Sequence, residues 1–367
     1  MVQFSTTTPT APGPPPPTAS ERYVQSGTLF LFFSLALLGN SLVVARLAQQ
    51  LYCRRSRRLN TVSLLCLQLG LADILAAFCC ILSNAVMYLL DEWLAGNTVC
   101  KLLKFLQRLG LAGSTFIVVT ISVDRYLAIR YPMRRRWDHE GVLMVGLIWF
   151  LAGLFSLPQM LVFKVSNVPV NGVETLQCAG FDESAVPWQE FTYDLALLLV
   201  LYVCPIGVIV TCYSLILRRI GQESHKGDQM LPAECSLLST ALGREKLYKQ
   251  ARNTSLIMSV LVIVTFIICW APFYMALIVH LAYKPAPFEN YYYNHAIYFC
   301  GLGHSVLNPL FYGAFHIIRR ARRDTSNAAS RINSSRIRSN TTGTSSRHLH
   351  TELTSAQQNS LNLHRTP

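Results

Sequence analysis

Charge is what this sequence has least of. Lys, Arg, Asp and Glu make up 14% of its 367 residues, where water-soluble domains run near ~25%. Hydrophobic residues make up 51% and mean hydropathy is +0.33, so much of the apolar surface needs cover other than water. Disorder of the whole chain is excluded, and a soluble enzyme with one core does not fit. Cysteine is thinly spread as well: the 11 residues are scattered with no C-x-x-C, leaving no basis for a disulfide scaffold, a zinc ribbon or a redox motif. No nucleophile sits with a base, and His295 and His304 on one segment do not make a zinc site. The chain therefore reads as a non-enzyme. A polytopic transporter is the distant alternative, but its usual internal repeat is missing. The net charge of +13 would suit nucleic acid, but its meaning depends on where the cations lie.

What the chain has is seven long apolar segments, at 27–50, 61–90, 100–131, 141–163, 190–218, 253–282 and 291–315. Each reaches the about 20 residues that cross ~30 Å of hydrocarbon as a helix. Lipid offers no hydrogen bonds, so such segments must satisfy their backbone internally. Long helices of a soluble bundle would need charged outer faces, and these have none. A soluble nucleic-acid binder fails on the same ground. The expected fold class is an all-α membrane protein, a seven-transmembrane helix bundle, multi-pass in the lipid bilayer of the plasma membrane. Residues 1–26, rich in Thr and Pro, read as a disordered extracellular arm rather than a signal peptide. The seven-span body is 27–318, and 319–367, rich in Ser, Thr, Asn and Arg, reads as a disordered cytoplasmic tail. Phe315, Ile317 and Ile318, interleaved with His316 and arginines, suit a short interfacial helix.

The cations are sorted by side. Arg54, Arg55, Arg57 and Arg58 follow the first segment, and Arg130, Arg134, Arg135 and Arg136 the third. With the connector between segments five and six and the C-terminal tail, one side holds 24 of the 32 Lys and Arg. Acids such as Asp91, Glu92, Glu174, Asp182, Glu183 and Glu190 occupy the other. The positive-inside rule then sets the N-terminus outside and the C-terminus in the cytosol. The basic balance is a topology signal, and no nucleic-acid partner is expected.

Polar groups inside spans are costly and therefore mark function, although some only hydrogen-bond helices together. Here they are Asn40 in Gly39-Asn40-Ser41, Asp73 in Leu71-Ala72-Asp73, and Asp124-Arg125-Tyr126 at the end of the third segment. Trp149 lies in the fourth and Pro205 in the fifth, with Tyr213 two turns on. Cys269-Trp270-Ala271-Pro272-Phe273 lies in the sixth, and Asn308-Pro309-Leu310-Phe311-Tyr312 ends the seventh. In this order and on these segments, the set resembles the rhodopsin-like (class A) G-protein-coupled receptors, over residues 27 to 320.

The resemblance implies roles. Asp124 would hold Arg125 at rest, and Arg125, supported by Tyr213 and Tyr312, would turn to a heterotrimeric G protein on activation. Arg252 stands where many members carry an acid, so a second lock is not expected. Trp270 and Pro272 would form the switch and hinge, since proline removes a helix hydrogen bond; Pro309 supplies another weak point. Asp73, Asn40, Ser114 and Asn308 resemble the class's sodium pocket. Such a carboxylate either binds a hard cation or takes up a proton, and His304 near that layer is unusual. No cofactor other than this allosteric sodium is expected. The Ser/Thr-rich tail suggests receptor kinases and arrestin as further partners.

On the outer side, a disulfide between Cys100 and Cys178 is implied. Asn171-Gly172 between β-favouring residues signals a hairpin before Cys178, a lid that suits an extracellular peptide ligand better than a lipid. Gln107 replaces the amine-binding Asp of the class, and Leu302 the Schiff-base Lys of opsins, so amines and retinal are disfavoured. Lys104, Gln107, Gln159 and Asn84 offer an ammonium and amides to a peptide backbone, above Trp270. The Lys104/Gln107 spacing, Leu157-Pro158-Gln159 and Tyr312-Gly313-Ala314-Phe315 resemble the gonadotropin-releasing hormone, adipokinetic hormone, corazonin and vasopressin/oxytocin receptor group. Tyr-Gly-x-Phe leans to the gonadotropin-releasing/adipokinetic hormone branch, with a vasopressin/oxytocin-like receptor as the alternative. Gq and calcium are the favoured pathway. Tyr291, Tyr292 and Tyr293 read as an interface anchor. Asn253, Asn333 and Asn340 head glycosylation triplets, but on the cytosolic side.

Overall fold

Lipid-length helices make up nearly everything that the computed structural model describes, namely residues 18–53, 61–131, 138–170, 173–181, 187–228, 236–282 and 299–311. We number the helices by span. α1 is Ala19–Cys53, α2 Thr61–Leu90 and α3 Gly96–Arg130. α4 is Asp138–Ser156, continued past Leu157 by Pro158–Val162. α5 comprises Pro187–Leu198, Leu199–Val203 and Cys204–Asp228. α6 is Ser236–Ala282, and α7 is described over 299–311. Six of these are long and apolar enough to cross a membrane, and α7 lies within the seventh apolar segment. Tyr312, the Tyr291, Tyr292 and Tyr293 run, His295, the turn residues Asn171 and Gly172, most of the N-terminal arm, the 315–318 segment and the 319–367 tail lie outside the described residues, as does the Arg252 side chain.

The first helix begins earlier than the apolar pattern predicts. Residues 19–26 were expected in a disordered arm, yet α1 starts at Ala19. The cause is a reciprocal cap. Thr18 Oγ1 accepts from the Glu21 amide (3.3 Å), while Glu21 Oε2 accepts from the Thr18 amide (2.8 Å). Arg22 on the added turns also pairs with Asp91, the left-handed residue (φ 57°) that closes α2.

Large apolar side chains point both inward and outward. Leu31, Leu38 and Leu42 of α1 and Leu143, Leu147, Phe150 and Leu161 of α4 are exposed, a pattern that only hydrocarbon surroundings make favourable. Inside, Leu65 and Leu69 of α2, Ile117, Val118 and Ile121 of α3, and Val262, Ile263 and Phe266 of α6 form one core. Glycines let backbones meet. A Cβ on Gly110 would lie 3.2 Å from the Ala76 amide nitrogen, and one on Gly39 would lie 2.9 Å from Pro309 Cβ and Cγ.

Two helices carry π-helical turns that periodicity does not reveal. In α5 the turn Leu199–Val203 ends next to Pro205. A proline has no amide hydrogen and its ring crowds the carbonyl four residues earlier, so the ladder opens there. In α2 the turn Ala77–Leu82 frees carbonyls that side chains satisfy. Gln107 Nε2 donates to the Cys79 carbonyl (2.7 Å) and Asn84 Nδ2 to that of Cys80 (2.6 Å). Ser83 Oγ also donates to Cys79 O.

Gly39→Ala tests the α1–α7 contact. A proline ring cannot rotate out of the way, so the added methyl should destabilise by about 1–3 kcal/mol, read as a lower unfolding temperature of the purified protein. An unchanged temperature would show that the two helices are not in contact at Gly39.

Candidate functional site

Polar and aromatic side chains collect in three layers along the bundle, and a charge pair closes its far end. The first lies at the end closed by the hairpin. β1 (Lys164–Val170) pairs antiparallel with β2 (Val173–Ala179), Val165 opposite Cys178. Cys178 is disulfide-bonded to Cys100 at the start of α3, so both the expected hairpin and the expected bond are present. Further ties fix the lid: the Trp93 amide donates to the Leu176 carbonyl (2.7 Å), Gln177 Nε2 to the Asp91 carbonyl (2.6 Å), and the Val165 amide to Asn97 Oδ1 (3.1 Å). Trp93, Cys100 and Phe163 pack beneath it.

Under this lid α3 presents Lys104, Gln107 and Arg108. Lys104 Nζ sits 4.8 Å from the centre of the Phe163 ring, a cation–π distance. Gln107 is turned to α2, where its amide supports the π-helical turn together with Asn84. Arg108 reaches α4 and α5. Since a guanidinium only donates, the Gln159 amide oxygen faces it, accepting from Arg108 Nε (3.0 Å) and Nη2 (3.2 Å) and from the Tyr193 hydroxyl. Gln159 is buried, and the Phe181 ring meets Tyr193 edge-on at 5.7 Å. The four expected ligand residues of this end thus divide: Gln107 joins α3 to α2 and Asn84 bonds to a carbonyl of its own helix, while Lys104 and Gln159 stand with a cation that sequence reasoning passed over. Arg108 carried its own signal, being a further cation within an apolar segment.

The second layer is aromatic. Trp270 on α6 lies edge-on to Phe273 (5.7 Å) and near Tyr274 (6.0 Å), which stacks on Tyr202 of α5 (4.3 Å). A Cβ at Gly301 would come within 3.2 Å of the Trp270 ring, so glycine is what lets α7 approach the indole. Pro272 lies inside α6, two residues on. His304 connects this layer to the next: its ring is 5.5 Å from that of Trp270.

The third layer surrounds Asp73, which is wholly buried. Ser305 Oγ donates to Asp73 Oδ1 (3.1 Å) and Asn308 Nδ2 to Oδ2 (2.8 Å). His304 Nδ1 donates to the Gly301 carbonyl (2.6 Å), which turns Nε2 to Asp73 Oδ1 at 3.7 Å. The hydroxyls of Ser114 and Ser305 lie 3.4 Å from that nitrogen. Asn40 Nδ2 donates to the carbonyls of Ala36 and Ser305, both at 2.9 Å, and its buried Oδ1 has no partner among the described residues. Asp73, Asn40, Ser114 and Asn308 are thus brought together as expected. Ser305 belongs with them and was not anticipated.

At the far end of α3, Asp124 is wholly buried and holds Arg125 through Nε (3.1 Å) and Nη2. Tyr126 is half-buried beside them. Tyr213 of α5 packs on the neighbouring core. Chemically these layers bind, orient and pair charge; among the described residues no three His, Cys, Asp or Glu are placed to hold a metal ion.

Comparison with known proteins agrees with this architecture. The profile of the family described as 7 transmembrane receptor (rhodopsin family) matches residues 39–312. The gonadotropin-releasing hormone receptor of Octopus vulgaris is 35% identical over 313 residues, 83% of this chain and 73% of that one. The gonadotropin-releasing hormone II receptor of Clarias gariepinus is 28% identical, over 81% of this chain and 76% of its own. The neuropeptide S receptor of Mus musculus is also 28% identical, over 78% of this chain and 75% of its own. Layered polar groups within seven spans, a disulfide-pinned lid and these relatives lead to one conclusion: the chain is a multi-pass plasma-membrane protein of the rhodopsin (class A) family of G-protein-coupled receptors, a receptor rather than an enzyme, and resembles its gonadotropin-releasing hormone group.

Proposed function

We propose that this peptide receptor answers a peptide of the gonadotropin-releasing/adipokinetic hormone type and signals through Gq to calcium release, with its N-terminus outside the cell and its tail in the cytosol. The observation that carries the ligand class is the 35% identity with the octopus gonadotropin-releasing hormone receptor over 83% of this chain. Lys104, Gln159 and the aromatic floor at Trp270 lie under a hairpin that covers one end of the bundle. Receptor kinases and arrestin act on the 319–367 tail. A panel of amidated neuropeptides on cells expressing the receptor tests this reading through calcium release. Response to a gonadotropin-releasing or adipokinetic hormone peptide is expected; response to oxytocin-type peptides alone would move the receptor to the vasopressin branch.

In the resting state, Asp124 holds Arg125 away from the G protein. Asp124 is inaccessible to solvent, so removing its charge leaves the cation without its counter-ion. Asp124→Asn should therefore raise ligand-free nucleotide exchange at equal surface expression; basal exchange equal to that of the parent would refute the role.

Asp73, Asn40, Ser114 and Asn308 are the residues that would hold an allosteric sodium ion, with Ser305 beside them. The Asn40 oxygen, which has no partner among the described residues, fits a hard cation, since a buried acceptor calls for a donor or an ion. The imidazole at His304 adds a nitrogen to an otherwise oxygen-rich set. Sodium at physiological concentration should weaken agonist binding relative to N-methylglucamine, and Asp73→Asn should remove the difference. Equal affinity in both salts would dismiss the ion.

A further inference from the structure

We infer that Gln107 is a positioning residue of the ligand end: its amide holds the π-helical turn of α2, and through that turn it sets where the lid sits. The inference deepens the peptide-receptor reading above, because the lid covers the end at which the ligand is proposed to bind. Its test needs no peptide, so the two readings fail separately.

The first ground is the turn itself. Ala77–Leu82 is π-helical, bonding i to i+5, and so holds one residue more than an α-helical turn. An α-helix advances about 100° and ~1.5 Å per residue. The outer part of α2, Ser83–Leu90, is therefore offset by one residue from the phase that the inner part dictates. Proline does not explain this offset. α5 opens its ladder next to Pro205, whereas α2 has no proline between Thr61 and Leu90. Carbonyls left without amide partners inside lipid are costly unless other donors reach them. Gln107 Nε2 donates to the Cys79 carbonyl (2.7 Å) and to Ser83 Oγ (3.2 Å), and Ser83 Oγ donates in turn to the Cys79 carbonyl. Asn84 Nδ2 donates to the Cys80 carbonyl (2.6 Å). Of these donors, Gln107 alone comes from another helix.

The second ground is what lies on either side. Inner α2 is fixed without the turn. Asp73 is held by Ser305 and Asn308, Trp149 Nε1 donates to Gln68 Oε1 (2.9 Å), and Gly110 brings α3 against the Ala76 backbone. Outer α2 carries the lid. The Asp91 carbonyl at its end accepts from Gln177 Nε2 (2.6 Å), and the Trp93 amide just beyond donates to the Leu176 carbonyl (2.7 Å). Ser26 Oγ of α1 donates to the Ala85 carbonyl (2.8 Å). These ties engage the α2 backbone and its continuation, so a change in the phase of outer α2 moves the lid with it. A plain strut between α3 and α2 would add stability and set no position.

The test uses the full-length receptor without ligand. Spin labels go at Leu89 on outer α2 and at Leu71 on inner α2, each paired with a label at Leu161 at the end of α4; all three side chains are exposed. Gln107→Met keeps the length of the side chain and removes its donors. The Leu89–Leu161 distance should then change by about 3 Å or more, as a one-residue step requires, while the Leu71–Leu161 distance stays. Ser83→Ala, which removes the hydroxyl of the same turn, should move the Leu89 pair in the same direction, and it decides the matter if Gln107→Met does not fold. Pro205 stands two residues past the π-helical turn of α5, and the same place in α2 is Asn84. Proline opens the ladder by itself, so Gln107→Met combined with Asn84→Pro should return the Leu89 pair to its wild-type distance. An unchanged Leu89 distance in the folded single variants, whatever their unfolding temperature, would make Gln107 a strut and overturn the proposal. So would equal shifts of both pairs, which mean general loosening, or a double variant that keeps the shifted distance.

Discussion

A carboxylate with no access to solvent, Asp73, sets the terms for the middle of this bundle. Leaving it unmatched in a low-dielectric interior is costly, so neighbouring helices must bring donors to it. α7 does so twice, through Ser305 and Asn308. α1 joins by donating from Asn40 to the Ser305 carbonyl. The glycine before Asn40 admits Pro309 of α7. α3 reaches the layer through Ser114, whose hydroxyl lies 3.4 Å from His304 Nε2 of α7. One buried charge thus fixes the mutual register of four helices, and hydrophobic packing, which has little directional force between helices in lipid, would not.

The layers on either side depend on that register. His304 touches the Asp73 layer with one nitrogen and lies against the Trp270 ring, so the aromatic floor and the polar middle share a side chain. On the proposed function, peptide contacts near Lys104 and Gln159 would be felt at Trp270, passed through His304, and released at Asp124 and Arg125. Pro272, two residues past the indole in α6, gives that helix its weak point.

Much of this was legible in the sequence, and for a physical reason. Lipid forces spans into helices, and the cost of polar atoms there makes each one conspicuous, so Asp73, Asn40, Asn308 and Asp124-Arg125 stood out. The hairpin was written in Asn171-Gly172 and its neighbours, and the Cys100–Cys178 bond followed from family resemblance. The α1 start was missed because apolar periodicity says nothing about Thr18 and Glu21, although their spacing is a cap signature. The α5 π-turn had its signal in Pro205. The α2 turn had none of that kind, because its freed carbonyls are satisfied partly by Gln107 from another helix. Gln107 read as a ligand residue for the same reason: sequence shows a costly polar group but not which neighbour meets it.

On the proposed function, the Asp73–His304–Trp270 contact would carry the ligand signal along the bundle. Spin labels at Arg130 on α3 and Ile257 on α6, both exposed, would report the separation of those helices near Arg125. The account predicts that agonist lengthens this distance in the otherwise unaltered receptor and fails to do so in His304→Leu, with agonist still bound. The same lengthening in both would contradict it.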